Sequence, residues 1–388
     1  MFTTEIEIKK LSEVTSLIMG QSPPSDSYND SGQGLPFFQG KTDFGEIHPI
    51  ERMYCTNPKK IAINQDILIS VRAPVGDVNI ANQESCIGRG LAALRADTAV
   101  INYKYLYYYL RYKKDVIANM GTGSTFKAIS KKDLENIEVV LFDLEVQRKI
   151  VDVLETAEQL IKDRKEQISG LSNLTKSVFL TLIKENESAL RRIDFKEVIE
   201  DTKNGLSRRG NDPEGEIVLR LREVKKNIIE YSSGINRIKL NEKEKNNYEL
   251  KQNDLLLVRV NGNPDYVGRC SLFNSIDEKV YYNDHLIRVR LKEDVDPIYL
   301  SYFLNSEFGS KEIKKNIKTS AGQYTISQDG IGKVNLLLPS LEVQQKFSNL
   351  FSEVMKERRT LEQSLEVFTE LFNSLLQKSF KGKLIVHQ

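Results

Sequence analysis

Four long polar side chains stand where two apolar runs stop. Setting Gly34 against Gly215 puts Phe37-Phe38-Gln39-Gly40-Lys41 over Val218-Leu219-Arg220-Leu221-Arg222, so one run ends in Gln39 and Lys41 and the other in Arg220 and Arg222. Gln matches the edge of adenine with two hydrogen bonds and Arg that of guanine, so these types at strand ends suit base reading in a DNA major groove. The same positions equally suit solvated strand residues or partners in internal ion pairs. Arg72 and Arg259 each follow an apolar run and precede a Gly/Pro turn, which could aim them at a base or a phosphate. Two polar loops, Gly121–Lys127 and Ser320–Thr325, offer backbone donors and short hydroxyls suited to phosphates. Ser124, Thr125 and Lys127 are the candidates in the first loop, and Gln323 and Tyr324, which could also reach a base edge, in the second. A plain connecting loop is the alternative for both. Arg208-Arg209 reads as a flexible, solvated turn.

Other chemistry is harder to build. Gly34 to Gly40-Lys41-Thr42 resembles a phosphate-binding loop, but five residues separate the glycines, and Pro36 and two Phe lie among them. Such a segment cannot wrap phosphates with its backbone donors. Asn263-Pro-Asp-Tyr266 resembles the Asn-Pro-Pro-Tyr of adenine methyltransferases, yet Asp265 breaks the pattern and no glycine-rich cofactor loop accompanies it. A turn is the better reading. The histidines His48, His285 and His387 are isolated, so no His-based metal site or nucleophile is visible. No acidic pair is followed by a nuclease-like Glu-x-Lys. Neither catalysis nor a cofactor is expected of this chain.

Composition sets the frame. The 388 residues suffice for two domains. With 40% hydrophobic and 28% charged residues, the chain has the balance of a soluble globular protein. No run of 18 apolar residues exists to span a membrane, the N-terminus does not read as a secretory signal, and Cys55, Cys86 and Cys270 lack disulfide or metal spacing. A cytoplasmic setting is expected. The formal charge is only +2, low for a protein that holds DNA by phosphate neutralisation, so either cations are concentrated on one face or DNA is not the ligand.

The elements that must position the candidates occur twice. Leu144-Glu-Val-Gln147 returns as Leu341-Glu-Val-Gln344, 197 residues on, and Ile129-Ser130 and Ile326-Ser327 keep the offset. Further upstream Tyr105-Leu106 resembles Tyr299-Leu300, Gln65-Asp-Ile-Leu-Ile69 resembles Asn253-Asp-Leu-Leu-Leu257, and Val75-Gly76 resembles Val267-Gly268. Each half reads as an α+β globular region followed by a long helix. Strands are expected at Ile61–Ile69, Asn253–Val260 and Leu286–Leu291, and helices at Tyr103–Lys113 and Pro297–Phe308. Ile150, Leu154, Ala157, Ile161, Arg164, Ile168, Leu171, Thr175, Val178 and Leu182 step by four and three, as do their counterparts from Phe347 to Ser379. That is a seam of about five heptads, which a lone helix cannot bury. Arg164 and Arg358 interrupt it, either fixing register against acidic residues or lying as solvated stems along it. Paired with each other, the two segments would form a rod roughly 58 Å long. The alternative is ordinary core helices of a bundle.

Several stretches resemble the specificity subunits of type I restriction–modification systems. They are Gly20-Gln-Ser-Pro-Pro-Ser25 with Gly34-Leu-Pro-Phe-Phe-Gln-Gly40, Gly121-Thr-Gly-Ser-Thr-Phe-Lys-Ala-Ile-Ser130, Ser320-Ala-Gly-Gln-Tyr-Thr-Ile-Ser327, Leu338-Pro-Ser-Leu-Glu-Val-Gln344 and the final Phe380-Lys-Gly-Lys-Leu384. Phe142-Asp143 departs from the family's usual Pro-Pro or Pro-Ser. The resemblance implies two target recognition domains, 1–141 and 191–338, separated by spacer helices at 142–190 and 339–388 that pair as an antiparallel coiled coil, with internal pseudo-twofold symmetry. Each domain would read half of a split site in double-stranded DNA. Two methyltransferase subunits would dock on the chain, with restriction subunits (translocase–nucleases) added for cleavage. The competing readings are a self-sufficient DNA methyltransferase or nuclease, and a coiled-coil scaffold without DNA affinity.

Overall fold

A computed structural model describes residues 6–121, 128–231, 234–320 and 322–381. The chain divides into two compact units: Met1–Gln167 with Leu361–Gln388, and Ile168–Thr360. Two long helices, Leu144–Glu185 and Leu341–Phe380, each contribute residues to both.

In the first unit an antiparallel sheet runs in the order Thr15–Met19, Leu91–Ala96, Ile67–Ser70, Val78–Ile80. The central strands are buried on both faces and read as continuous apolar runs. A second sheet holds Leu35–Phe38 antiparallel to Tyr54–Cys55 and parallel to Ser85–Ile87. A ribbon pairs Glu7–Lys10 with Glu138–Leu141. The helix Tyr103–Tyr112 packs Tyr105, Tyr108 and Tyr109 into a core shared with Ile150, Leu154, Phe372 and Phe380. Burial of each such side chain is worth about 1.5–3 kcal/mol.

The second unit repeats this order from different residues. Its main sheet runs Ile199–Asn204, Leu286–Leu291, Leu255–Val258, Cys270–Leu272. Glu216–Leu219 again lies parallel to one strand, Val280–Tyr282, and antiparallel to another, Arg237–Ile238. Arg191–Asp194 pairs with Asn335–Leu338. Tyr299 and Phe303 of the helix Pro297–Asn305 share a core with Phe179 and Phe347.

The repeated sequence words have structural reasons. Gln147 is fully buried; its Oε1 accepts from the Asn102 backbone N–H at 2.8 Å, while its Nε2 donates to the carbonyls of Val100 and Phe142. Gln344 does the same for Asp296 at 3.0 Å and donates to the Pro339 carbonyl. In both units, then, a glutamine near the start of a long helix satisfies a donor at the start of the aromatic helix, and leaving that donor unmet would cost about 1–3 kcal/mol. Asp66 takes Arg95 at 2.9 Å through both oxygens, and Asp254 takes Arg290 at 2.7 and 3.2 Å. Each Asp follows a residue with positive φ, Gln65 and Asn253.

Some boundaries differ from expectation. Ile61–Ile69 is not one strand: Ile61–Ala62 and Ile67–Ser70 lie in different sheets, divided where Gln65 turns through the left-handed region. Asn253–Val260 is likewise divided: Asn253 turns through the left-handed region before Leu255–Val258, and Val260–Asn261 pairs in another sheet. The helix expected to reach Phe308 stops at Asn305, because extended Ser306 caps a new helix, Glu307–Lys315. The seam residues of both long helices are buried or half-buried, and Arg164 lies over the Phe368 ring at 5.4 Å. Gly170 interrupts neither the helix nor any packing, since nothing lies within 4 Å of where a Cβ would stand. Among the described residues no helix is long and apolar enough to cross a membrane.

Candidate nucleic-acid interface

The candidate residues at the two strand ends stand on equivalent turns. After Leu35–Phe38 the Gln39 backbone N–H donates to Asp43 Oδ2 at 2.6 Å; after Glu216–Leu219 the Arg220 backbone N–H donates to Glu223 Oε2 at 2.8 Å. The Phe44–Pro49 bridge in one unit and the Val224–Ile229 bridge in the other complete the match. An acidic side chain closes each turn, leaving the next residues to project.

What projects differs. In the first unit Gln39 is exposed, and the Lys41 ammonium lies 2.6 Å from Asp77, which also takes Lys114 at 2.6 Å. Burial alone would raise the Asp77 pKa, but the hydrogen bonds and charges of Lys114 and Lys41 outweigh it and hold the carboxyl below its ordinary value. Lys41 is therefore partly an internal ion-pair partner.

In the second unit the acidic residue is longer and deeper. Glu223, 2% exposed, is paired with the Arg222 Nε and lies 3.7 Å from Arg220 Nη2. Arg222 also donates to the Gly234 carbonyl, and Arg220 reaches the same carbonyl at 3.4 Å and Asn236 Oδ1 at 3.5 Å. These long bonds hold Arg220 loosely, and its buried Nε has no hydrogen-bond partner. The ion-pair expectation for these arginines is therefore met, and their charges, anchored from beneath, stay partly exposed, 33% and 52%.

Two residues that the sequence reading set aside join them. Arg208 and Arg209 do not lie in a free turn. Arg208 holds Glu244 with two bonds of 2.9 and 2.8 Å and the Lys239 carbonyl at 2.8 Å; Arg209 pairs with Asp284 at 2.7 Å. With Arg220, Arg222, Asn236 and Asn283 they line a cavity of about 400 Å³. The adjacent arginines between Gly205 and Gly210 were the available signal. Their partners lie far along the chain, so only the fold shows that they are fixed.

Arg72 and Arg259 are not equivalent. Ile129 donates to the Val71 carbonyl as Ile326 does to that of Arg259, so Arg259 matches Val71 and Arg72 matches Val260. Arg72 is exposed, whereas Arg259 is half-buried and turns its Nη1 to the Asp284 carbonyl at 3.0 Å. Ser320–Thr325 is a hairpin rather than an open loop: Lys318–Ser320 pairs with Gln323–Thr325 across Gly322, whose φ is +77°, and Val260–Asn261 pairs on the other side. Gln323 is exposed; Tyr324 is half-buried against the core. Ser124, Thr125 and Lys127 lie outside the described residues.

Neither near-motif makes a site. Leu35–Phe38 is a buried strand, and Pro264–Tyr266 is a short turn capped by Asn263, with Asp265 paired to Lys314. Among the described residues no three His, Cys, Asp or Glu side chains cluster to hold a metal.

The profile of the type I restriction modification DNA specificity domain matches residues 4–169 and again 210–367. A putative type I restriction enzyme MjaX specificity subunit from Methanocaldococcus jannaschii is 46% identical over 167 residues, covering 43% of this chain and 39% of that protein. The type I restriction enzyme StySPI specificity subunit of Salmonella potsdam is 27% identical over 375 residues, 89% of this chain and 80% of that protein. The crystal structure of a type I restriction–modification S subunit from M. genitalium superposes with a TM-score of 0.62 over 98% of this chain and 97% of that one. Its 15% identity makes this a likeness of fold.

Proposed function

The chain belongs to the type I restriction–modification DNA specificity family, and from that premise we propose that it is a non-catalytic subunit that reads a bipartite target in double-stranded DNA. The observation that carries this is the repetition of one sheet order in two units, each ending an equivalent strand in a turn that projects long polar side chains. In the first unit these are Gln39 and Lys41, with Arg72; in the second they are Arg220, Arg222, Arg208 and Arg209, with Arg259 and the hairpin's Gln323 and Tyr324. Each unit reads one half-site. Residues 1–141 and 191–338 act as the recognition domains, and the two long helices act as an antiparallel coiled-coil spacer that sets the gap between half-sites. Reading positions on one face of a duplex recur about every 34–36 Å, and a stiff helical spacer keeps such a distance where a flexible linker would not.

Methyltransferase subunits, two by the symmetry of the repeat, and translocase–nuclease subunits supply the chemistry. Selection of duplexes from a random pool by the full chain with its methyltransferase partner tests this. The expected motif is two short half-sites separated by a gap of fixed length, bound with an affinity that falls steeply with salt. A single contiguous motif would remove the bipartite reading. Methyl transfer by the purified chain alone would remove the non-catalytic one, and no selection at all would leave a scaffold.

A further inference from the structure

We infer that Glu223 is a positioning residue that turns the second unit's arginine cavity into a reader of guanine, and that Arg222 makes the contact. This assignment rests on the DNA-reading function proposed above. The cavity combines three properties. Its lining supplies guanidinium groups and amides from Arg208, Arg209, Arg220, Arg222, Asn236 and Asn283, while the carboxylates that anchor the arginines, Glu223, Glu244 and Asp284, are not among the lining residues. The guanidinium of Arg222 is held at two points, by Glu223 at Nε and by the Gly234 carbonyl at Nη2. A guanidinium has five N–H donors in a planar fork; with those two engaged, three remain on the terminal nitrogens.

Guanine is the base that offers two acceptors, O6 and N7, side by side in the major groove. A fork held in a fixed plane matches that pair, and the fixing lowers the side-chain entropy lost on contact. The buried Glu223 therefore does more than close its turn. Its counterpart Asp43 accepts from the backbone of Gln39 and Gly40, whereas Glu223 reaches past the backbone to both arginine side chains. A phosphate contact would need charge but no fixed plane. Arg208 is held as firmly as Arg222, but Glu244 and the Lys239 carbonyl occupy its Nε and Nη2, so only Nη1 remains, which suits a phosphate rather than a paired base edge.

The test is binding of the full chain to duplexes in which each guanine of the second unit's half-site is replaced in turn by 7-deazaguanine or adenine. The wild-type chain should lose roughly five- to 150-fold at one guanine position. Arg222→Lys keeps the charge and removes the fork. It should bind non-cognate duplex as the wild type does while losing the discrimination at that guanine, with no further loss on 7-deazaguanine. Glu223→Gln should weaken the same discrimination and leave the salt slope unchanged. Arg208→Ala should lower affinity evenly across sequences and reduce the salt slope by about one.

Full guanine preference in Arg222→Lys would overturn the assignment. So would an even loss across all sequences in Glu223→Gln, which would mark the cavity as a phosphate site. A wild-type chain that enriches no sequence would overturn the parent reading itself, a result distinguishable from either. Circular dichroism of Arg222→Lys and Glu223→Gln separates loss of discrimination from loss of fold.

Discussion

One position shows how the two units diverge on the same backbone. Asp77 and Arg269 each follow a glycine of positive φ, Gly76 and Gly268, and their carbonyls accept from Ser70 and Val258, which are equivalent residues of the central strands. In the first unit the carboxylate ties down Lys41 and Lys114. In the second the arginine stacks on Tyr266 at 3.6 Å. One position thus holds an anion that ties down two lysines in the first unit and a cation stacked on a ring in the second. The sheet order is indifferent to the change, because these side chains stand beyond the strand ends and outside both cores.

The largest way to break this comparison is through the cores. Phe347→Ala should destabilise the second unit by about 3–5 kcal/mol, since the ring packs on Phe179, Tyr299 and Tyr302. Urea unfolding followed by tyrosine fluorescence would report it, as the chain has no tryptophan. A loss under 1 kcal/mol would mean that the aromatic cluster does not hold the helix to its sheet.

Equivalence of the two units can be sharpened with the buried glutamines. Gln147→Ala and Gln344→Ala should each cost about 1–3 kcal/mol, because each leaves one buried helix-start donor unmet. Costs that differ by more than twofold would show that the shared sequence word does unequal work.

Gly170→Ala should stabilise the first long helix by about 0.5–1 kcal/mol, given open space at the Cβ. No gain would mean that the glycine is held by a neighbour.

Smaller still is a pH effect confined to the first unit. The folded pKa of Asp77 is lowered, so its contribution to stability is present above the ordinary carboxylate value of about 3.9 and is lost as pH falls through the folded value. Asp77→Asn should remove that part of the acid limb, at a cost near neutrality of under about 1 kcal/mol because both lysines are roughly half exposed. An unchanged acid limb would mean that the carboxylate is not paired in solution.

Much of the framework was legible from local pattern. The four-and-three spacing from Ile150 to Leu182 is a property of neighbours along the chain, and the helix Leu144–Glu185 contains it whole. Leu286–Leu291 is a strand over the range that its Ile, Leu and Val content indicated. The repeat of Leu-Glu-Val-Gln announced two similar units before any fold was known, although the reason for its glutamine was not visible. Where the candidate site was misread, the deciding partner was distant in sequence. Arg72 and Arg259 look alike in their runs, yet register places them one step apart, and Arg208 and Arg209 look solvated because Glu244 and Asp284 lie 36 residues and more downstream.

By itself the sequence determined the elements, the duplication and the residue types at the two strand ends, because hydrophobic periodicity and turn chemistry act over a few residues. Tertiary structure alone decided which charges are neutralised and which remain available. Ion pairing depends on distances between residues such as Lys41 and Asp77, or Arg209 and Asp284, that come together only when segments far apart in the chain are laid side by side.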